Sequence, residues 1–120
     1  MQDLQGRHLT ASRRRIVVDG ENVRRSAWPN VSKEELVERC RAWAGREGSD
    51  LLIVFDGDPP EEAHDLVGSG ARSADDVIAG LDGSFSLVTS DRALRERVGE
   101  RADDVIGGGS FLQQISSDRE

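Results

Sequence analysis

Cysteine is nearly absent from this 120-residue sequence: Cys40 stands alone. A single thiol excludes an intrachain disulfide and a cysteine-based zinc site, and it is the usage expected in the reducing cytoplasm. Long apolar runs are absent too. The longest, Leu51 to Phe55, falls far short of a bilayer span, so no membrane association is expected. Residues 1–15 are polar and basic with no apolar stretch, so no secretory signal is expected. His8 and His64 are the two histidines, too isolated from each other and from any second ligand to suggest zinc. Lysine is as scarce as cysteine, with Lys33 the only one among 16 basic residues. Neither Gly68-Ser69-Gly70 nor Gly107-Gly108-Gly109 has the spacing or lysine of a phosphate loop, and both read as turns.

What is present fits one small globular domain. Hydrophobic residues make up 36% and charged residues 32%, enough for a single core and too apolar for a disordered chain. The 23 acidic residues outweigh the basic ones and leave a net charge of −7. A chain that gripped nucleic acid over its whole surface would be basic. Any such role must therefore be local, through an arginine rim or through cations that turn a carboxylate cluster into a phosphate site.

Short apolar runs alternate with helical patterns. Arg14 to Asp19, Asp50 to Phe55, His64 to Gly68, Phe85 to Thr89 and Asp104 to Ile106 read as strands. Ser32 with Glu35 opens a helix carrying Leu36, Val37, Cys40 and Trp43, and Gly45 to Ser49 ends it. Ser73 with Asp76 opens a second helix, Ser90-Asp91 a third, and Ser110 with Gln113 a fourth; residues 20–29 read as a loop. The pentamer Ala-Asp-Asp-Val-Ile occurs at 74–78 and again at 102–106, and its flanks predict a helix start first and a strand second. Strands alternating with helices imply a three-layer α/β/α sandwich on a mostly parallel sheet of four or five strands. The domain is expected over 13–116, with a mobile arm at 1–12 and a frayed tail at 117–120.

Ligands of such a sheet bind beyond the carboxyl ends of its strands. Asp19, Asp56 and Asp91 follow three of the strands, and Asp75 and Asp76 open the helix after another. Each has an ordinary explanation as a turn or capping residue. Their shared edge is the argument for function, because like charges brought together need compensation. Mg²⁺ or Mn²⁺ supplies it with a few carboxylates, water and substrate phosphate, a setting suited to phosphodiester hydrolysis.

Asp19-Gly20-Glu21-Asn22, Ile53-Val54-Phe55-Asp56, Ser73-Ala74-Asp75-Asp76 and Val88-Thr89-Ser90-Asp91-Arg92 occur in that order. Together they resemble the NYN branch of the PIN-like nuclease superfamily, and within it the YacP-like ribonuclease domains. The resemblance spans roughly residues 15–115. It implies Mg²⁺- or Mn²⁺-dependent hydrolysis of RNA, single-stranded above all, by water, with no Ser, Cys or His nucleophile. It assigns Asp19, Asp76 and Asp91 catalytic roles and makes Asp19, Asp75, Asp76, Asp91 and Asp56 the metal set. Asn22 and Ser90 become substrate contacts, and Arg24, Arg25, Arg72 and Arg92, which sit next to the Asp motifs in sequence, are expected to rim the cluster, Arg72 and Arg92 above all as phosphate contacts. It leaves open a ribosome or protein partner and a homodimer. The chain departs from the pattern at Glu21, where an aromatic is usual, and at Arg95, where some relatives carry another Asp. A catalytically inactive module binding RNA or protein is the alternative. Asp56-Gly57-Asp58 also faintly suggests an aspartyl phosphatase, but Lys33 precedes the supposed nucleophile. Trp28 either packs onto the domain, the ordinary fate of a lone loop tryptophan, or stacks a base.

Overall fold

Five short runs rich in Val, Ile, Leu and Phe form the sheet, and the central ones, buried on both faces, show no polar alternation. A computed structural model describes residues 14–117. Its strands are β1 (Arg15–Asp19), β2 (Asp50–Phe55), β3 (Leu66–Gly68), β4 (Ser86–Val88) and β5 (Asp104–Ile106). All pair in parallel, in the order β3-β2-β1-β4-β5. The chain runs outward from β1 in one direction and then, after β3, in the other. The carboxyl end of β1, between β2 and β4, is therefore the topological switch point, the place where open parallel sheets bind ligands.

Helices α1 (Gly20–Arg24), α2 (Lys33–Glu47), α3 (Ala74–Ala79), α4 (Arg92–Val98) and α5 (Gly108–Ser117) cover the two faces. One face packs Ile16, Val18, Ile53 and Phe55 against Leu36, Cys40 and Trp43 of α2 and Phe111 and Ile115 of α5. The other packs Val17, Val54 and Leu87 against Ile78 of α3 and Leu94 and Val98 of α4. The three-layer expectation holds, with the sheet wholly parallel. Burial also pushes the Cys40 thiol up to about 12, which makes it an inert core residue.

Local signals account for most boundaries. Ser32 accepts the Glu35 N–H to start α2, and Gly48, with φ at +70°, ends it. The repeated pentamer behaves as its flanks predict, helical in α3 and extended in β5. Three expectations need correction. Residues 20–24 are a helical turn, not loop, because Val23 is wholly buried and Glu21 pairs with Arg24 one turn on. The last helix begins at Gly108, not Ser110, because the Ser90 hydroxyl accepts the Gly108 N–H. The third and fourth strands are shorter than expected, at Leu66–Gly68 and Ser86–Val88. Ser117 closes α5; the arm expected at 1–12 and the rest of the expected tail lie outside the described residues.

Two glycines make opposite predictions. A Cβ on Gly68 would stand 2.2 Å from the Gly57 carbonyl oxygen and 2.8 Å from Pro59 Cδ, whereas one on Gly45, within α2, meets nothing within 4 Å. Gly68→Ala is expected to destabilise by about 1–3 kcal/mol, and Gly45→Ala to stabilise by about 0.5–1 kcal/mol, both read from urea midpoints.

Candidate functional site

β1 delivers Asp19 to the switch point, where it is only 4% exposed. The residue beside it, at the end of β4, is Thr89, also buried. Thr89 Oγ1 donates to Asp19 Oδ2 at 2.8 Å and accepts the Asp91 N–H at 3.0 Å. Asp91 Oδ1 accepts the Leu94 N–H at 3.0 Å and so caps α4. Its capping role and its place beside Asp19 come from the same geometry. On the far side Asp56, following β2, accepts the Ala74 N–H at 2.8 Å. That bond holds the start of α3, and with it Asp75, at the sheet edge.

These carboxylates act on one another. Burial raises the Asp19 pKa to about 6, the Thr89 hydrogen bond opposes the rise, and the charges of Asp75, Asp56 and Asp91 add to it. Asp75 is raised as well, first by burial and then by Asp91 and Asp56, with Arg97 opposing. Four of the five expected carboxylates, from four stretches of chain, thus influence one another electrostatically.

Asp76 does not join them. Successive residues of a helix diverge by about 100°, and with Ala74 and Ile78 facing the core, Asp76 projects toward α4. There it accepts from Arg97 at 3.0 Å, and this hydrogen bond is the main cause of its lowered pKa. Its charge still acts on Asp75, so Asp76 lies at the margin of the cluster with its own carboxylate engaged by Arg97.

Asn22 and Ser90, expected as substrate contacts, knit the site together. Asn22 Oδ1 accepts the Ser90 N–H at 2.7 Å, and Ser90 Oγ accepts the Gly108 N–H at 2.8 Å. A Cβ on Gly108 would lie 2.9 Å from Asn22 Oδ1 and 2.8 Å from Ser26 Oγ, so a side chain there would have to displace these two groups. Arg72 donates to the Asp76 carbonyl, and Arg92 lies open to solvent beside Glu96. Sequence reasoning missed Thr89 as a site residue, although it stands two positions before Asp91. It also missed Glu21, which is buried and draws in Arg24 at 2.8 Å, Arg25 at 3.6 Å and Lys33 at 3.8 Å. Trp28 does not pack down; it is 89% exposed.

Carboxylate oxygens are the donors that hard divalent ions prefer, and the mutual repulsion at this edge is what such an ion relieves. Among the described residues no three His, Cys, Asp or Glu side chains stand close enough to enclose an ion. The side chains as placed do not form a closed, all-protein cage, and an ion bound there would have to keep much of its water, as Mg²⁺ does.

No protein-family model matches the sequence, and no curated protein is significantly similar to it. Solved structures are. Rae1 (YacP) from Bacillus subtilis, as a point mutant, superposes with a TM-score of 0.70 at 16% identity, over 88% of this chain and 77% of that one. Unmutated Rae1 (YacP) gives 0.66 at 18% identity, over 87% and 74%. The fold is the YacP-like one that the ordered motifs imply.

The raised Asp19 pKa has a defined sign. Ionising this side chain costs more in the folded protein than in the unfolded chain. The cost is absent below about pH 4 and complete above about pH 6. In EDTA, Asp19→Asn is expected to stabilise the protein at pH 8, by at most about 3 kcal/mol, and to bring no gain at pH 4. Thr89→Val removes the opposing hydrogen bond, so the Asp19 titration followed by carboxyl NMR is expected to move above its position in the parent chain.

Proposed function

We propose that this chain is a metal-dependent ribonuclease, with Asp19, Asp75 and Asp91 holding Mg²⁺ or Mn²⁺ and Asp56 supporting them. The observation that carries the reading is the convergence of these carboxylates on the switch point, each acting electrostatically on Asp19. The YacP-like fold and the ordered motifs favour RNA as the substrate class. The single, buried Cys40 accords with a cytoplasmic setting. No described helix is long and apolar enough to cross a membrane.

A divalent ion bound here would neutralise the carboxylates, activate water and offset charge building on the phosphate. The chain's own residues supply the rest. Thr89 fixes the Asp19 carboxylate by its hydrogen bond and, through the Asp91 N–H, ties the α4 start to it. Asp56 fixes the α3 start and so the position of Asp75. Asn22 and Ser90 hold the loop after β4 against α5. Each part of the site is positioned by a rigid element, as a preorganised site requires. The main influences on Asp19 are its burial, the Thr89 hydrogen bond and the charges of Asp75, Asp56 and Asp91. Two residues further on, Glu21 engages Arg24, Arg25 and Lys33.

A labelled single-stranded RNA incubated with Mn²⁺ is expected to be cleaved, and EDTA is expected to stop the reaction. Asp19→Asn, Asp75→Asn and Asp91→Asn should each abolish cleavage. Asp56→Asn, which disturbs only support, should lower it by about 10- to 100-fold. Asp76→Asn should retain most of it. Equal loss in Asp75→Asn and Asp76→Asn would reject the assignment. Absence of any metal-dependent cleavage would favour the non-catalytic binding module.

A further inference from the structure

We infer that the loop between α1 and α2 docks single-stranded nucleic acid, with Trp28 as a stacking platform and Arg25 and Lys33 as phosphate contacts. The inference rests on the ribonuclease reading and names its substrate class. Trp28 is the one large hydrophobic side chain exposed among the described residues. Its loop is pinned at the base, where the Val31 N–H donates to the Arg24 carbonyl and the Ser26 N–H to the Val23 carbonyl, both at 3.0 Å. The indole is thus held out on a braced loop. Because α1 is a five-residue helix that starts directly after Asp19, the loop begins about 8 Å beyond the carboxylates.

Charge is compatible with the same ligand. Arg24, Arg25 and Lys33 share the one carboxylate of Glu21, and Arg25, mostly exposed and 3.6 Å from it, is open to a phosphate. A stacking ring three residues along the chain from an exposed arginine is a combination that suits single strands without reading sequence. Behind the loop lies an open cleft of about 580 Å³ lined by Ser26, Ala27, Val31, Leu112 and Gln113, room for a further nucleotide. A protein partner fits less well. Arg25, Ser26, Asn30 and Ser32, near Trp28 in the chain, are exposed and polar, and only Ala27 and Pro29 add exposed apolar surface directly beside it, whereas a protein interface is marked by an apolar patch of several hundred Å². A duplex fits poorly as well, since its base faces are covered by their neighbours.

The test uses the whole chain carrying Asp19→Asn, so that RNA is bound and not cut, in Mg²⁺ at low salt. The probe is a twelve-nucleotide RNA, single-stranded or annealed to its complement, and the signal is tryptophan fluorescence. Trp43 is 3% exposed and serves as a silent internal reference. The single strand is expected to quench Trp28 emission and the duplex to leave it nearly unchanged. Trp28→Ala should weaken binding by about 5- to 100-fold, and Trp28→Phe should restore most of it. Arg25→Ala should reduce the salt slope by about one. No binding, or equal binding by Trp28→Ala, overturns the inference, as does a Trp28-dependent shift in oligomeric state without RNA binding. The ribonuclease reading fails separately: RNA bound through Trp28 by a parent chain that cannot cut it in Mn²⁺ would sink that reading alone.

Discussion

A carboxylate buried at the end of the central strand is the constraint on which the rest of this structure depends. Asp19 sits where the sheet topology reverses, among three other acids and beneath almost no solvent. Such a placement is destabilising in isolation. The surrounding architecture limits that cost without removing it. Thr89 donates a hydrogen bond, but the charges that act most on the carboxylate are those of Asp75, Asp56 and Asp91. An arginine there would have made a stable ion pair and filled the site. Arg97 does so for Asp76 on the outer side of α3, and Arg41 does so for Asp65, whose pKa it lowers. The contrast separates carboxylates that serve as structural ion pairs from those left with unmet charge.

Much of this was legible in the sequence. Five strands, the parallel sheet and the burial of Trp43 followed from apolar runs, capping pairs and spacing. The two copies of Ala-Asp-Asp-Val-Ile show how local context decides. Ser73 caps the first as a helix, while the second takes its place beside β4 and is extended. The convergence of Asp19, Asp56 and Asp91 followed from where the strands end, because parallel strands present all their carboxyl termini at one edge.

The remainder depended on contacts distant in sequence. Choosing between Asp75 and Asp76 required knowing which face α3 buries and that Arg97 would reach back across α4, 21 residues away. Residues 20–24 are too few to show a helical period, and their helix forms because Val23 is buried and Glu21 collects cations from two segments. Thr89 looked like strand composition until the pairing of β1 with β4 put its hydroxyl against Asp19. Trp28 was the opposite case. Its expected packing failed: the loop is closed by its own backbone hydrogen bonds and the ring stands exposed.

The central claim is that the charge left uncompensated around Asp19 is a seat for a divalent cation. The most direct measurement is paramagnetic broadening of backbone amide signals as Mn²⁺ is titrated into the protein. The account requires the effect to centre on residues 19, 56, 75 and 91 and to vanish when Mg²⁺ is added in excess. Broadening centred on Asp76 or on the acidic surface around Glu61 and Glu62, or none at millimolar ion, would contradict it.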